Sequence, residues 1–313
     1  MTMAEPARRT VTRTIFLLAA LFVARAGLTD WDYLTVEGAG GVPLNVVTAG
    51  DPASPAILLI HGFGQSHYSF VHQLNSDLAD DNFLVTFDLR GHGGSGKPWA
   101  AEDYTEHTVW AEDVAAVISA TGIDRPVVVA WSYGTMIAMD YIREHGTGDI
   151  SGIILTGGQG GLKPLRMPGT DDPDMAELGE IRVLQQRRDL ADNIRAGERV
   201  IDLLTASPLP APERELFRSL GLMVPSYVRR AMVNRSLDNQ DLVDRLSLPV
   251  LFALGAEDNP FQLEDAAELA ASRENVSLTI YEGAGHSVFL EQPQRFNDQL
   301  RRFAEETRSD AVP

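Results

Sequence analysis

The chain contains no cysteine. Thiol catalysis, disulfide bonding and cysteine-based zinc sites are therefore excluded, although the absence suits an oxidising and a reducing compartment equally. Basic residues are few as well: 26 Lys and Arg stand against 44 Asp and Glu, a formal net charge of −18. A surface of that sign disfavours nucleic acid and anionic membranes as partners. No apolar run is long enough to span a bilayer as a normal helix. No His/Asp/Glu cluster has metal-ligand spacing, so no metal or other cofactor is expected. The glycines from Gly91 to Gly96 lack the spacing and the following apolar helix of a phosphate loop, which argues against nucleotide binding.

What is present is a chain of 313 residues with an ordinary apolar fraction of 44%, enough to bury a full core. At its start, Arg8, Arg9 and Arg13 precede an apolar run from Ile15 to Ala24, followed by Ala24-Arg25-Ala26. These are the parts of a secretory signal peptide over residues 1–26, with a disordered or surface-packed extension as the alternative. The first reading places the mature domain outside the cytoplasm, secreted or periplasmic. The second leaves it cytoplasmic.

From Trp31 the pattern is that of strands. Tyr33–Glu37 and Pro43–Thr48 flank a glycine turn and read as a hairpin. Short apolar runs follow at Ala56–Ile60, Leu84–Asp88, Val127–Ala130, Gly152–Thr156, Pro249–Leu254 and Ser277–Tyr281. Helical segments separate most of them, including Thr108–Ala120, Leu263–Ala271 and Pro293–Glu306. That alternation predicts an α/β fold, a mostly parallel sheet with helices on both faces. It breaks between residues 160 and 247, where prolines punctuate polar stretches that include helices over Met175–Asp189 and Arg214–Leu222. This stretch reads as a helical cap over a core made of residues 27–159 and 248–313. Leu204, Phe217 and Leu220 are among its candidate pocket or cap-core residues.

Val127–Ala130 runs into Trp131-Ser132-Tyr133-Gly134 and then a helix. A strand–turn–helix of this kind needs small residues two before and two after its centre, and Ala130 and Gly134 are small. The pattern is a nucleophile elbow, with Ala130 in place of the usual glycine. Asp258 and His286 also stand just beyond strand ends, and a parallel sheet gathers such ends along one edge. A serine hydroxyl needs a base, a neutral imidazole suits that task, and a carboxylate fixes its tautomer. Glu257 is the rival to Asp258. His61, His67, His72, His92, His107 and His145 are the rivals to His286; His61 reads as support for a turn, His145 as helix-end solvation. Ser66 and Ser95 lack the elbow pattern.

Four motifs in order, His61-Gly62-Phe63-Gly64, Ala130–Gly134, Gly255-Ala256-Glu257-Asp258 and Gly285-His286, give the chain a resemblance to the α/β-hydrolase superfamily. It looks like a capped member of the esterase, lactonase, non-haem haloperoxidase and epoxide-hydrolase-like branch. The resemblance implies Ser132, Asp258 and His286 as catalytic residues and the backbone N–H groups of Phe63 and Tyr133 as an oxyanion hole. It also implies that Ser132, where epoxide hydrolases of the superfamily carry Asp, performs acyl chemistry. The function so expected is cofactor-independent hydrolysis of a small carboxylic ester or lactone, with a small-molecule acyl substrate as partner. The alternatives are peroxide as acceptor, C–C bond hydrolysis at the same triad, or a ligand-binding protein that has kept the fold.

Overall fold

The computed structural model describes residues 31–166 and 173–309. The expected leader at residues 1–26 lies outside them. Eight strands form one sheet: β1 (Asp32–Glu37), β2 (Pro43–Ala49), β3 (Ala56–Ile60), β4 (Phe83–Phe87), β5 (Val127–Trp131), β6 (Gly152–Thr156), β7 (Val250–Gly255) and β8 (Val276–Tyr281). Their spatial order is β1-β2-β4-β3-β5-β6-β7-β8. The β1–β2 and β2–β4 pairs are antiparallel, and all others are parallel.

The helices of eight or more residues are α1 (His107–Thr121), α2 (Tyr133–His145), α3 (Pro173–Gln186), α4 (Leu190–Asp202), α5 (Ala211–Leu222), α6 (Ser226–Val233), α7 (Pro260–Ser272) and α8 (Pro293–Ser309). Alternation along each strand divides the core in two. Val128 and Ala130 of β5 join a cluster with Trp110, Ile137 and Phe252 on one face. Val127, Val129 and Trp131 join another with Phe70, Phe289 and Phe296 on the opposite face. Every residue of β5 is buried, as a central parallel strand covered by helices on both faces requires.

The helix expected over Met175–Asp189 stops at Gln186. Asp189 instead caps the next helix, its side chain accepting the Asp192 N–H at 2.9 Å. Four helices, α3 to α6, thus stand between β6 and β7. Ile201, Phe217 and Leu220 enter one core cluster, whereas Val228, Ala231 and Met232 enter the other. The insertion therefore straddles the sheet's carboxyl edge.

Candidate active site

Parallel register sets Ile60, Ala130, Leu155, Phe252 and Leu278 side by side across five strands. The loops that follow this row meet above it. Ser132 sits at the turn from β5 into α2 with φ 54° and ψ −119°, a conformation costly for any side chain. Packing enforces it. A β-carbon on Gly134 would lie 2.5 Å from Ile60 O, and one on Gly62 would lie 2.9 Å from the Ser132 Cβ. Ala130 is fully buried, so the core accommodates its extra methyl.

His286, from the loop after β8, places Nε2 2.9 Å from Ser132 Oγ and Nδ1 3.0 Å from Asp258 Oδ2. A carboxylate only accepts, so Nδ1 carries the proton and the Nε2 lone pair faces the serine hydroxyl. The other Asp258 oxygen accepts the Asn259 N–H at 2.8 Å. Burial works against the charged imidazole, but the Asp258 carboxylate and its hydrogen bond outweigh it and hold His286 above its ordinary pKa. Asp258 is likewise disfavoured by burial, yet His286 and the Asn259 N–H hold it below the usual carboxylate range. The three residues expected from the sequence are thus brought into one hydrogen-bonded chain. Glu257 has no part in it.

The remaining histidines lie elsewhere. His61 and His92 are fully buried behind the turn that carries Phe63. His61 donates from Nδ1 to Gly62 O at 2.8 Å and accepts the Leu89 N–H on Nε2 at 3.0 Å. His92 donates from Nδ1 to Arg90 O at 3.0 Å and accepts the Gly64 N–H on Nε2 at 3.1 Å. Burial, with an added contribution from neighbouring charge, lowers the pKa of His92 to about 3, and burial lowers that of His61 to about 4, so both stay neutral. His67 pairs with Asp88 at 2.8 Å. His145 ends α2, stacked on Tyr141 and 3.2 Å from Glu112. Ser95 donates to Asp88 O at 2.5 Å, and Ser66 caps the turn at His67.

In the turn after β3, the Gly64 N–H is committed to His92 and the Gln65 N–H to Gly62 O at 3.3 Å. The Tyr133 N–H opens α2, where the first N–H groups have no intrahelical partner. Tyr133 thus follows Ser132 directly, and Phe63 follows Gly62, the residue whose close approach to the Ser132 Cβ leaves no room for a side chain.

The family can be read once this geometry is in place. The model of the alpha/beta hydrolase family matches residues 57–299. The chain belongs to the α/β-hydrolase family. This α/β-hydrolase is 29% identical to a Burkholderia cenocepacia protein assigned as an aryl esterase, whose solved structure it matches with a TM-score of 0.80 over 89% of its own length and 100% of the other. It is 26% identical over 254 residues to the AB hydrolase superfamily protein YisY of Bacillus subtilis, covering 79% of this chain and 91% of that one. A shorter stretch of 98 residues is 40% identical to epoxide hydrolase A of Mycobacterium tuberculosis, 31% of this chain and 30% of the relative.

Two supports of the hydrolase's site escape sequence reading. The Trp131 indole N–H donates to His286 O at 2.9 Å and pins the loop of the histidine. Glu291 accepts the Gly285 N–H on one oxygen and the Ala206 N–H on the other, each at 2.7 Å. Nothing local in the sequence marks either contact. His92 had a signal: like His61, it stands beside glycine in the loop after a buried strand. Among the described residues no group of His, Asp and Glu could hold a metal ion, and no helix is long and apolar enough to cross a membrane.

Proposed function

We propose that this α/β-hydrolase cleaves a small carboxylic ester or lactone through an acyl-enzyme, without a cofactor. One observation carries the reading: the His286 imidazole bridges Ser132 Oγ at 2.9 Å and Asp258 Oδ2 at 3.0 Å. Ser132 Oγ attacks the carbonyl carbon while His286 Nε2 takes its proton. The resulting oxyanion is held by the N–H groups of Phe63 and Tyr133. Collapse expels the alkoxide, which receives the proton from His286. Water, deprotonated in turn by His286, attacks the acyl-Ser132 carbonyl carbon; collapse releases the acid as the Ser132 Oγ–acyl bond breaks, and His286 returns the proton to Ser132 Oγ. Asp258 stays ionised throughout and stabilises the imidazolium. The helices over residues 173–233 act as the cap that excludes bulk water.

A serine at the elbow supports acyl chemistry rather than the alkyl-ester route expected of an aspartate there. The test is intact mass after treatment with a fluorophosphonate. Wild type should gain a single adduct and Ser132→Ala none. A folded wild type that stays unlabelled would sink the proposal.

A further inference from the structure

Between the Phe63 turn and helices α3 to α6 lies a cavity lined by, among others, Phe63, Gly64, Gln65, Leu204, Phe217 and Arg229. Arg229 is only 3% exposed. Its guanidinium donates to Gln185 O at 3.2 Å, to Asn193 Oδ1 and to Gly221 O. All three acceptors are neutral. No carboxylate of the described residues pairs with it, and burial lowers its pKa to about 10. Buried charges are ordinarily paired, because desolvation of a lone ion is costly. The contrast with Arg218 is direct. That residue lines the same cavity, yet its Nε is 3.0 Å from Glu215 Oε2.

A second observation points the same way. Gln65 also lines the cavity and is 3% exposed, and its amide oxygen has no hydrogen-bond partner. Turned about its last torsion, the amide presents its NH2 at the same point. One buried cation without a counter-ion and one buried amide oxygen without a partner thus share a single space. Phe63, whose N–H the proposed mechanism assigns to the oxyanion, also lines that space.

We propose that this cavity is an anion subsite, binding through Arg229 and Gln65 a free carboxylate on the acyl substrate. The proposal rests on the ester-hydrolase reading and narrows it to esters or lactones of dicarboxylic acids. It acts locally against the general field of the chain, whose net charge of −18 repels anions at a distance. A charge-assisted, planar contact of this kind distinguishes a carboxylate from a methyl group by about ten- to a hundredfold.

The experiment compares kcat/KM for p-nitrophenyl monoesters of succinic, glutaric and adipic acid with the neutral esters of equal chain length. Wild type should favour the anionic member of at least one pair by about tenfold or more. Arg229→Gln should collapse that ratio, mainly through KM, and Gln65→Glu should reverse it by facing the substrate with a like charge. Neutral esters preferred throughout, on wild type that a fluorophosphonate labels at Ser132, would overturn the subsite alone. Absence of labelling would instead remove the hydrolase reading beneath it. Should Arg229→Gln fail to fold, Gln65→Glu decides: an unchanged ratio overturns the proposal.

Discussion

His61 and His92 each hold the other's loop. Their rings stand 5.3 Å apart, and each Nε2 accepts a backbone N–H from the segment that carries its partner: Leu89 for His61, Gly64 for His92. Each Nδ1–H is spent on a nearby carbonyl, which fixes the tautomer that makes this exchange possible. The turn bearing Phe63 is thereby fastened to the loop after β4. Arg90 anchors that loop in turn, bound to Asp113 of α1 at 2.6 and 2.7 Å.

Removal of this fastening should show in catalysis and in stability. His92→Ala leaves the Gly64 N–H buried without a partner, which costs about 1–3 kcal/mol. Because Phe63 precedes Gly64, kcat should fall more than KM rises. Urea denaturation and steady-state kinetics on one ester check both. His92→Asn, whose amide oxygen can accept the same N–H, should recover part of the loss.

Acidification should weaken the fold through the same residue. The folded pKa of His92 is lowered to about 3 from an ordinary 6.5. Between those values the unfolded chain binds a proton that the native state refuses, so this contribution to stability falls as pH drops. One such proton corresponds to a slope of about 1.4 kcal/mol per pH unit. The slope between pH 6 and pH 4 should therefore be shallower by about that amount in His92→Asn than in wild type. Equal slopes would show that His92 is not held neutral.

Ser132 stores backbone strain, which its proposed role as nucleophile accounts for. At φ 54° a glycine would be at ease. Ser132→Gly should abolish turnover and fluorophosphonate labelling while raising stability by about 1 kcal/mol. A thermal melt of the purified variant measures it; a lower midpoint than wild type refutes the strain.

On the proposed mechanism His286 acts as base only when neutral, and Asp258 holds it above its ordinary pKa. kcat/KM should accordingly decline as pH falls through a value above 6.5, the ordinary histidine value. A raised folded pKa also stabilises the native state most below 6.5, with that contribution lost as pH rises through the raised value. Asp258→Asn should shift the acid limb downward and reduce kcat by a factor on the order of 10³–10⁴. A pH–rate profile of both proteins decides this.

Glu291 should behave as a positioning residue. It joins the Gly285 N–H, beside His286, to the Ala206 N–H of the helical insertion. Its charge also adds to the upward pull on His286. Glu291→Ala should reduce kcat by about tenfold, as removal of a charge-assisted hydrogen bond does, and lower the acid limb. An unchanged pH profile with reduced stability would assign it a purely structural part.

The sequence alone determined the strands, the tight turn at Ser132 and the three positions, Ser132, Asp258 and His286, that the fold joins by hydrogen bonds. Each is a local matter. Runs such as Val127–Ala130 mark a strand because both of its faces must be apolar, and Ser132, Asp258 and His286 stand where such runs end. Tertiary structure decided everything that depends on which loops meet. β4 lies between β2 and β3 in space though not in sequence, and this brings His92 to Gly64. Asp189 begins α4 rather than ending α3 because its side chain finds the Asp192 N–H. Nothing in the sequence sets Arg229 apart from the exposed arginines, and it is buried only because the other three helices of the insertion close around it. Local pattern records what a residue is suited to do; burial and partners exist only once distant segments pack, and they alone separate a solvated charge from a buried one.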